Sequence, residues 1–579
     1  MFIEVIIIKE IIMFKTNSNH IQQDIFGYDL SKMNEVYARI KETAEYSFYE
    51  TIFCNIDEEI FAQLFCQDNG RPNAPINAMV SALILKEKKN WTYRQLFESI
   101  EFNLLTRSAL GIFHVGDMPF NEPTLFNFQN RVKDYEEEHN VNLFEKVFDD
   151  LTADQLKKLK LNTNIARTDS FMIDSNIKSY GRLQLLIEVI LRVYRMLNKS
   201  DKKLFSDHFQ NYTDQSSEHY MYQLKGSDLP HEYAKVTELY YWIKSNLPSR
   251  YFGREEYRIF NRVYEEHFKF DEDEKLRLRD KDEIGINTLQ SPDDPDATYR
   301  KKHGRSHKGQ VASITETAHP DNELNLIVDI SVQPNNKDDS KILEDRLDEL
   351  KEKLPDIDEL HFDGGYGSED NDKKMEGMGI VPIQTAVRGR KAKISNSWKI
   401  EKDEEDNYYV TCPNQQTVKA EPTKTRFKAC YGNSICSACI YRDKCPTIAL
   451  KHCYCYYFTE EDFLVKQRHK NIYDLPLDKR KIRPNVEASV CEFTRKMNNH
   501  KLKVRGAFKA ALFVFSAAIA INFGRIYRYS KNISGNSGDN NSFISAISKI
   551  SKILRIITNK ILYITLQNPK SRYLCFVER

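Results

Sequence analysis

The sequence predicts an α/β protein. It has a mixed-sheet core interrupted by a large helical insertion, an all-helical N-terminal domain before the core and a small cysteine-rich insertion within it. Three observations carry this. Strand-like runs around Asp169, from Gly309 to Val332 and around Asp363 are separated by helical runs, as in a layered α/β core. From Arg182 to about Arg279 the apolar spacing is helical, as in RLQLLIEVILRVYRML. Seven of the eleven cysteines fall between Cys412 and Cys455, where helix signals are few.

Taken in order, the elements divide the chain as follows. Residues 14–150 read as an N-terminal helical domain. Pro75 opens the helix INAMVSALILKEKK, Thr92 caps TYRQLFESIEF, and Thr124 caps TLFNFQNRVKDYEEEH after a turn at Gly111. Short helices joined by tight turns are compatible with a helix-turn-helix DNA reader, and a plain helical bundle is the default where nothing else points to DNA. Residues 160–178 hold the first core strand, with Ile165, Phe171 and Ile173 buried and Asp174 facing away from Asp169. Residues 179–297 are the helical insertion, ending in SPDDPDAT, whose prolines mark a linker. Residues 298–387 continue the core. Gly309–Thr317 and Leu324–Val332 form a hairpin, and Ser340 caps a helix with Leu343, Leu347, Leu350 and Leu354 on one stripe. The Asp363 strand, a short helix and GIVPIQTAV follow. Residues 388–465 are the cysteine-rich unit, 466–525 the last helices of the core, and 526–579 a tail that opens on a flexible linker and then turns apolar.

Whole-chain charge excludes little, since 85 Lys+Arg stand against 84 Asp+Glu. Its distribution says more. From Lys466 to Lys509 there are 13 Lys+Arg and 4 Asp+Glu, a local net of +9 that suits a nucleic-acid patch or a solvated helix face. The N-terminal MFIEVIIIKEIIMF is too short and too charged for a membrane span, and it lacks the basic start and cleavage site of a signal peptide. Met13 opens a polar segment, so the residues before it read as an upstream start. The run Ala510–Ile521 is too short to cross a bilayer and reads as a buried helix.

The stretch from Glu359 to Asn371, ELHFDGGYGSEDN, organises the site. A short strand stops at Gly364-Gly365 and leaves the carboxylate of Asp363 at its carboxyl end, where open α/β sheets build their sites. The bland alternative is an Asp that shapes a turn. Asp169 lies in the first strand, and Glu487 sits beside the apolar stripe Val486, Val490, Phe493 and Met497 of a later basic helix. Three such carboxylates, drawn from distant parts of a chain, can hold two divalent ions for in-line phosphoryl transfer without a histidine or a nucleophilic side chain. A turn role for Asp169 and a solvated surface role for Glu487 are the plain alternatives.

The chain resembles the bacterial insertion-sequence transposases of the DDE class, in the subgroup with a helical N-terminal domain and an interrupted core, over roughly residues 70–525. The resemblance rests on Asp169-Ser170-Phe171-Met172-Ile173, Asp363-Gly364-Gly365-Tyr366 and Arg483-Pro484-Asn485-Val486-Glu487, in that order. It implies a ribonuclease-H-like core and catalytic metal ligands at Asp169, Asp363 and Glu487 for two Mg²⁺ (or Mn²⁺) ions. It also implies double-stranded DNA as partner, as terminal inverted repeats and as target, a homo-oligomer in the synaptic complex, and a bacterial cytoplasmic, nucleoid-associated location. Arg483, Arg495, Lys501, Lys503, Arg388 and Arg390 become the expected DNA contacts. Phe171 stands where the family usually has Thr, Arg480 where some relatives carry Tyr, and Thr494 where some carry Lys. The rival readings are a DNA-binding protein without chemistry and a metal-dependent nuclease that cuts without joining. Asp174 competes with Asp169 for the first acidic position; it precedes Ser175-Asn176 and reads as a strand end.

The cysteine unit contains Cys412, the pair Cys436-Ser437-Ala438-Cys439 and Cys445, with zinc-ribbon spacing. The clustering suggests a reduced compartment and zinc rather than disulfides, with Cys430, Cys453 and Cys455 as spare ligands and free thiols as the alternative.

Overall fold

A computed structural model describes residues 14–21, 29–66, 71–302, 304–386, 397–403 and 405–536. Arg388 and Arg390, the first dozen residues and the tail beyond 536 lie outside the described residues. The chain forms one unit through Asn522 and a second from Phe523, of which the described part is the end of a single helix.

The N-terminal region is helical from Leu30 to Leu159, and its last helix, Leu143–Leu159, runs through residue 150. The helix Ile76–Lys89 is buried from Ile76 through Lys86, because its apolar residues surround the axis instead of forming one stripe. Thr92 caps the helix Tyr93–Phe102 in a reciprocal pair with Gln95. The next expected cap is corrected. The helix Glu122–His139 begins two residues earlier than Thr124, capped by Asn121 with Pro123 in its first turn; Asn121 offers the same side-chain acceptor, and the proline fixes the entry.

The core strand β1 is Ile165–Asp174. Helices then run from Arg182 to His267 around their own core of Leu186, Ile190, Tyr240 and Phe260. They close on a small hairpin, β2 (Phe268–Phe270) and β3 (Leu276–Leu278). The stretch expected to be a linker is instead a packed strap. Ser291 and Asp294 are buried, and Asp294 accepts from the Ser175 hydroxyl and, at 3.0 Å, from the Gly506 N–H.

Then come β4 (Thr298–Lys302), β5 (Arg305–Thr317), β6 (Ile327–Pro334), β7 (Glu359–Phe362) and β8 (Val381–Gln384). The sheet order is β4-β5-β1-β7-β8, with β6 also paired to β5. β5 is antiparallel to both β1 and β6, whereas β1, β7 and β8 run parallel. The expected hairpin is therefore present, but β5 starts four residues earlier than Gly309, where β4 extends the ladder, and the second arm starts at Ile327. The helix Asp339–Lys353 packs Leu343, Leu347 and Leu350 against Leu360 and Phe362. Its cap position is Asp338, not Ser340, which lies inside the first turn.

Gly309 is where β5 pairs with both β1 and β4, opposite Asp174 and Thr298. It takes φ +154°, and a Cβ there would stand 2.2 Å from the Ile173 carbonyl oxygen and 2.7 Å from the Ser175 nitrogen. Both obstacles are backbone. Gly309→Ala is expected to cost about 2 kcal/mol or more, read as a lower denaturation midpoint. Gly285→Ala, with open space around it, should leave the midpoint unchanged.

The cysteine-rich stretch folds as an antiparallel sheet of β9 (Lys399–Lys402), β10 (Tyr408–Thr411), β11 (Thr417–Pro422), β12 (Phe427–Gly432), β13 (Ile448–Ala449) and β14 (Cys453–Phe458), in the order β13-β14-β12-β11-β10-β9. Trp398, Tyr408, Val410, Tyr431 and Phe458 form its core. Helices Glu460–Asp474, Leu477–Arg480 and Val486–Thr494 return the chain to the main sheet. The apolar run at Ala510 belongs to a 30-residue helix, Ala507–Asn536. Ala507–Ile533 is long and apolar enough to span a membrane, so the length argument fails. Burial decides instead: 78% of its most apolar window is inside the protein.

Candidate active site and its basic flank

The parallel register of β1 and β7 sets up the site. Arg167 stands opposite His361. Two residues further along, Asp169 and Asp363 come side by side, the first still within β1 and the second one residue past the end of β7. The backbone orients both. The Ser170 N–H donates to Asp169 Oδ1 at 2.8 Å, and the Gly365 N–H donates to Asp363 Oδ1 at 2.7 Å. Gly365 also lets the turn pass close: a Cβ there would lie 3.0 Å from Asp363 Oδ1 and 3.2 Å from Asp339 Oδ2.

Glu487 arrives on the first turn of the helix Val486–Thr494. That helix packs on β1 through Val486 and Phe493, whose ring lies 5.1 Å from that of Phe171. The three acids meet at one guanidinium. Arg483 reaches Asp169 at 2.7 Å, Glu487 at 3.2 Å and Asp363 at 3.9 Å. Asp169 is the most enclosed of the three, 14% exposed against 38% for Asp363 and 65% for Glu487. Burial pushes the Asp169 carboxyl up, against the pull of Arg483, and the neighbouring Asp363 adds to the rise.

Asp174 is elsewhere. At the end of β1 it pairs with His307 at 2.9 Å and Arg305 at 3.4 Å, and its backbone bonds to His500 and Leu502. The opposite-face reading of the two aspartates is what the strand shows.

Sequence reasoning missed two features. Asp339, at the N-terminus of its helix, accepts from Ser170 Oγ at 3.1 Å and flanks Asp363 across Gly365. Nothing marked it within Asp338-Asp339-Ser340, which reads as a helix start. The second is a buried triad. Arg167 is paired with Glu316 of β5 at 2.6 Å, Ser489 Oγ donates to Glu316 at 2.5 Å, and Arg167 donates to the Ile482 carbonyl at 3.1 Å. The triad ties β1 and β5 to the segment bearing Arg483 and Glu487. Its sequence signal was Glu316, a carboxylate inside an apolar strand.

Much of the basic run is paired within the molecule, though Arg480, Lys501 and Lys503 stay exposed. Arg468 pairs with Asp372 at 2.6 Å, Lys479 with Glu359, and Arg480 with three backbone carbonyls. Lys501 Nζ donates to the Ile177 carbonyl at 3.0 Å, and Lys503 Nζ to the Asn90 carbonyl and side chain at 3.1 and 3.0 Å. Arg495 is exposed at the end of its helix.

In the inserted sheet, Cys412, Cys436, Cys439 and Cys445 line one small cavity. Burial first, then the sulfurs of Cys445, Cys412 and Cys439, push the Cys436 thiol up. The expectation of no disulfide is corrected: Cys430 and Cys455 are joined across β12 and β14, where they stand directly opposite each other.

The site is thus one guanidinium held by three carboxylates, in a chain that also carries a helical N-terminal region and a cysteine-rich sheet. Two family models match the chain. Residues 29–131 match "Transposase domain (DUF772)", and residues 411–527 match "Transposase DDE domain". The second match contains Arg483 and Glu487 and begins after both aspartates. Together they support an insertion-sequence DDE transposase. No curated protein and no solved structure matches it.

Proposed function

We propose that the protein cuts phosphodiester bonds at the ends of its element and transfers the 3′-hydroxyl ends to target DNA. Asp169, Asp363 and Glu487 would hold two Mg²⁺ or Mn²⁺ ions on a ribonuclease-H-like core. The observation that carries this is the convergence of the three carboxylates on one cation, the Arg483 guanidinium. A sheet that runs β6-β5-β1-β7-β8, antiparallel on one side of β1 and parallel on the other, supports the core assignment.

The residues suit the metal. All three offer hard oxygen donors, which Mg²⁺ prefers, and a positive group already sits among them. When bound, the ions would activate the attacking oxygen and stabilise the leaving one. The chain's own groups do the rest. The Ser170 and Gly365 N–H groups aim the two aspartates, and Arg483 offsets the charge of the acids. Arg167, Glu316 and Ser489 hold the Glu487 helix against β1.

The test is cleavage and joining of a duplex carrying the element's ends with Mg²⁺ and with Mn²⁺. Asp169→Asn is expected to be inactive and Asp174→Asn to cut. The reverse would move the site to the other face of β1. Cutting without joining would make the protein a nuclease, and binding without cutting a DNA-binding protein that has lost its chemistry.

The terminal repeats and the target are double-stranded DNA, read in part by the N-terminal helices, and the synaptic complex is a homo-oligomer in this proposal. Arg495, Lys501 and Lys503 would meet phosphates. Replacing all three is expected to weaken binding to every sequence and to flatten the salt dependence by about 0.9 in log–log slope for each phosphate no longer neutralised. An unchanged slope would assign the lysines to their intramolecular carbonyls and Arg495 to solvent.

A further inference from the structure

We propose that Cys412, Cys436, Cys439 and Cys445 bind one structural zinc ion, with Thr447 orienting one ligand and Arg442 compensating the charge. The four residues come from two places. Cys412 opens the turn between β10 and β11, where its N–H donates to the Gln416 carbonyl and its own carbonyl accepts from Gln415, both at 2.9 Å. Cys436 lies in the short helix Asn433–Ser437, and Cys439 and Cys445 lie on the loop after it. That loop winds through Cys439 N–H to Cys436, Arg442 N–H to Cys439 and Cys445 N–H to Arg442 carbonyl bonds. Both places face the same cavity.

The surroundings favour sulfur as an acceptor. Arg442 Nη1 donates to Thr447 Oγ1 at 2.9 Å, and Cys445 Sγ lies 3.2 Å from that hydroxyl. Arginine has no acceptor, so the hydroxyl takes the guanidinium proton on a lone pair and has its own proton to give to the sulfur. A sulfur that accepts is what a thiolate ligand needs. Four thiolates around Zn²⁺ leave a net charge of about −2. Arg442, stacked 4.0 Å over the Tyr454 ring, is the fixed positive group on the cavity wall.

A rival sulfur group exists. Cys430, Cys453 and Cys455 lie within 4.8 Å of one another, a tighter grouping than the cavity four. Two of that trio are already joined to each other, and three sulfurs do not close a tetrahedron. Four thiolates would close one, with no open position for chemistry. They also fasten a loop that has little core of its own, where Ile440 is 84% exposed.

The experiment uses the full-length protein purified under reducing conditions. Metal analysis is expected to find one zinc per chain. Exchange with Co²⁺ should give the thiolate-to-cobalt charge-transfer band and tetrahedral d–d bands. Cys412→Ser and Cys439→Ser should lose the ion, and Cys453→Ser should keep it. Arg442→Ala and Thr447→Val should keep one zinc but release it roughly tenfold faster to a chromogenic chelator. If the cysteine variants do not fold, the cobalt spectrum of the wild type still decides. Absence of zinc, a cobalt spectrum without thiolate bands, or loss of zinc only in Cys453→Ser would overturn the site. Wild-type release rates in both Arg442→Ala and Thr447→Val would overturn the roles of those two residues. Asp363→Asn is expected to hold zinc normally, so failure here is separable from failure of the catalytic proposal.

Discussion

Asp363→Asn is expected to abolish strand cleavage while leaving folding and DNA binding intact, and Glu487→Gln to do the same. Each change keeps the shape of the side chain and removes one negative charge from a group of three that share a single guanidinium. On the proposed two-metal mechanism, losing a ligand to ions that would stabilise both the attacking and the leaving oxygen costs about 4 kcal/mol of barrier, or roughly a thousandfold in rate. Folding should be spared because Asp363 and Glu487 are 38% and 65% exposed, so neither supports the core. The measurement is single-turnover cleavage of an end-bearing duplex, with binding followed separately. Cleavage within tenfold of wild type by either variant would remove that residue from the site.

The second large effect concerns stability. Arg167→Met should destabilise the protein by about 3–5 kcal/mol, because it takes the guanidinium away from the fully buried Glu316 carboxylate and leaves that charge uncompensated at its former pairing edge. The double variant Arg167→Met with Glu316→Leu replaces the pair by apolar groups and should recover most of the loss. It should not recover activity, since the bonds to Ile482 and Ser489 that fix the Glu487 helix are gone. Denaturant midpoints and cleavage rates together decide it. A single variant as stable as wild type would mean that Glu316 is satisfied in another way, and full activity in the double variant would make the triad a packing feature only.

The sheet was legible because its strands declare themselves. β1, β5, β6, β7 and β8 each carry β-branched or aromatic apolar residues, and Asp363 followed by two glycines marks where one of them ends. The parity argument separating Asp169 from Asp174 follows from the two-residue period of a strand and needs no long-range information. What could not be read was what one segment does to another. Each lysine of the basic run looks identical in sequence whether it faces solvent or, like Lys503, a helix end more than four hundred residues away. Asp339 had no local mark, since its proximity to Asp363 arises from the helix packing back over β7. The extra strand β4 is polar and alternates weakly, so nothing in Thr298–Lys302 distinguishes it from a loop until β5 lies beside it.

Two hydrogen bonds bear on how far the parts of this protein can be exchanged. Lys496 and Lys503, just beyond the Glu487 helix, hold the Glu87 and Asn90 carbonyls at the C-terminal end of the helix Ile76–Lys89, at 2.9 and 3.1 Å. These carbonyls lie at the helix's C-terminal end, where cations are favoured, and the Glu87 carbonyl also accepts from the Asn90 N–H. The N-terminal region is thus clipped to the segment that follows Glu487, although more than four hundred residues separate them. It is not a portable module. A chimera that grafts the helices of one relative onto the core of another must carry residues 496–503 with them, or the graft arrives without these two bonds.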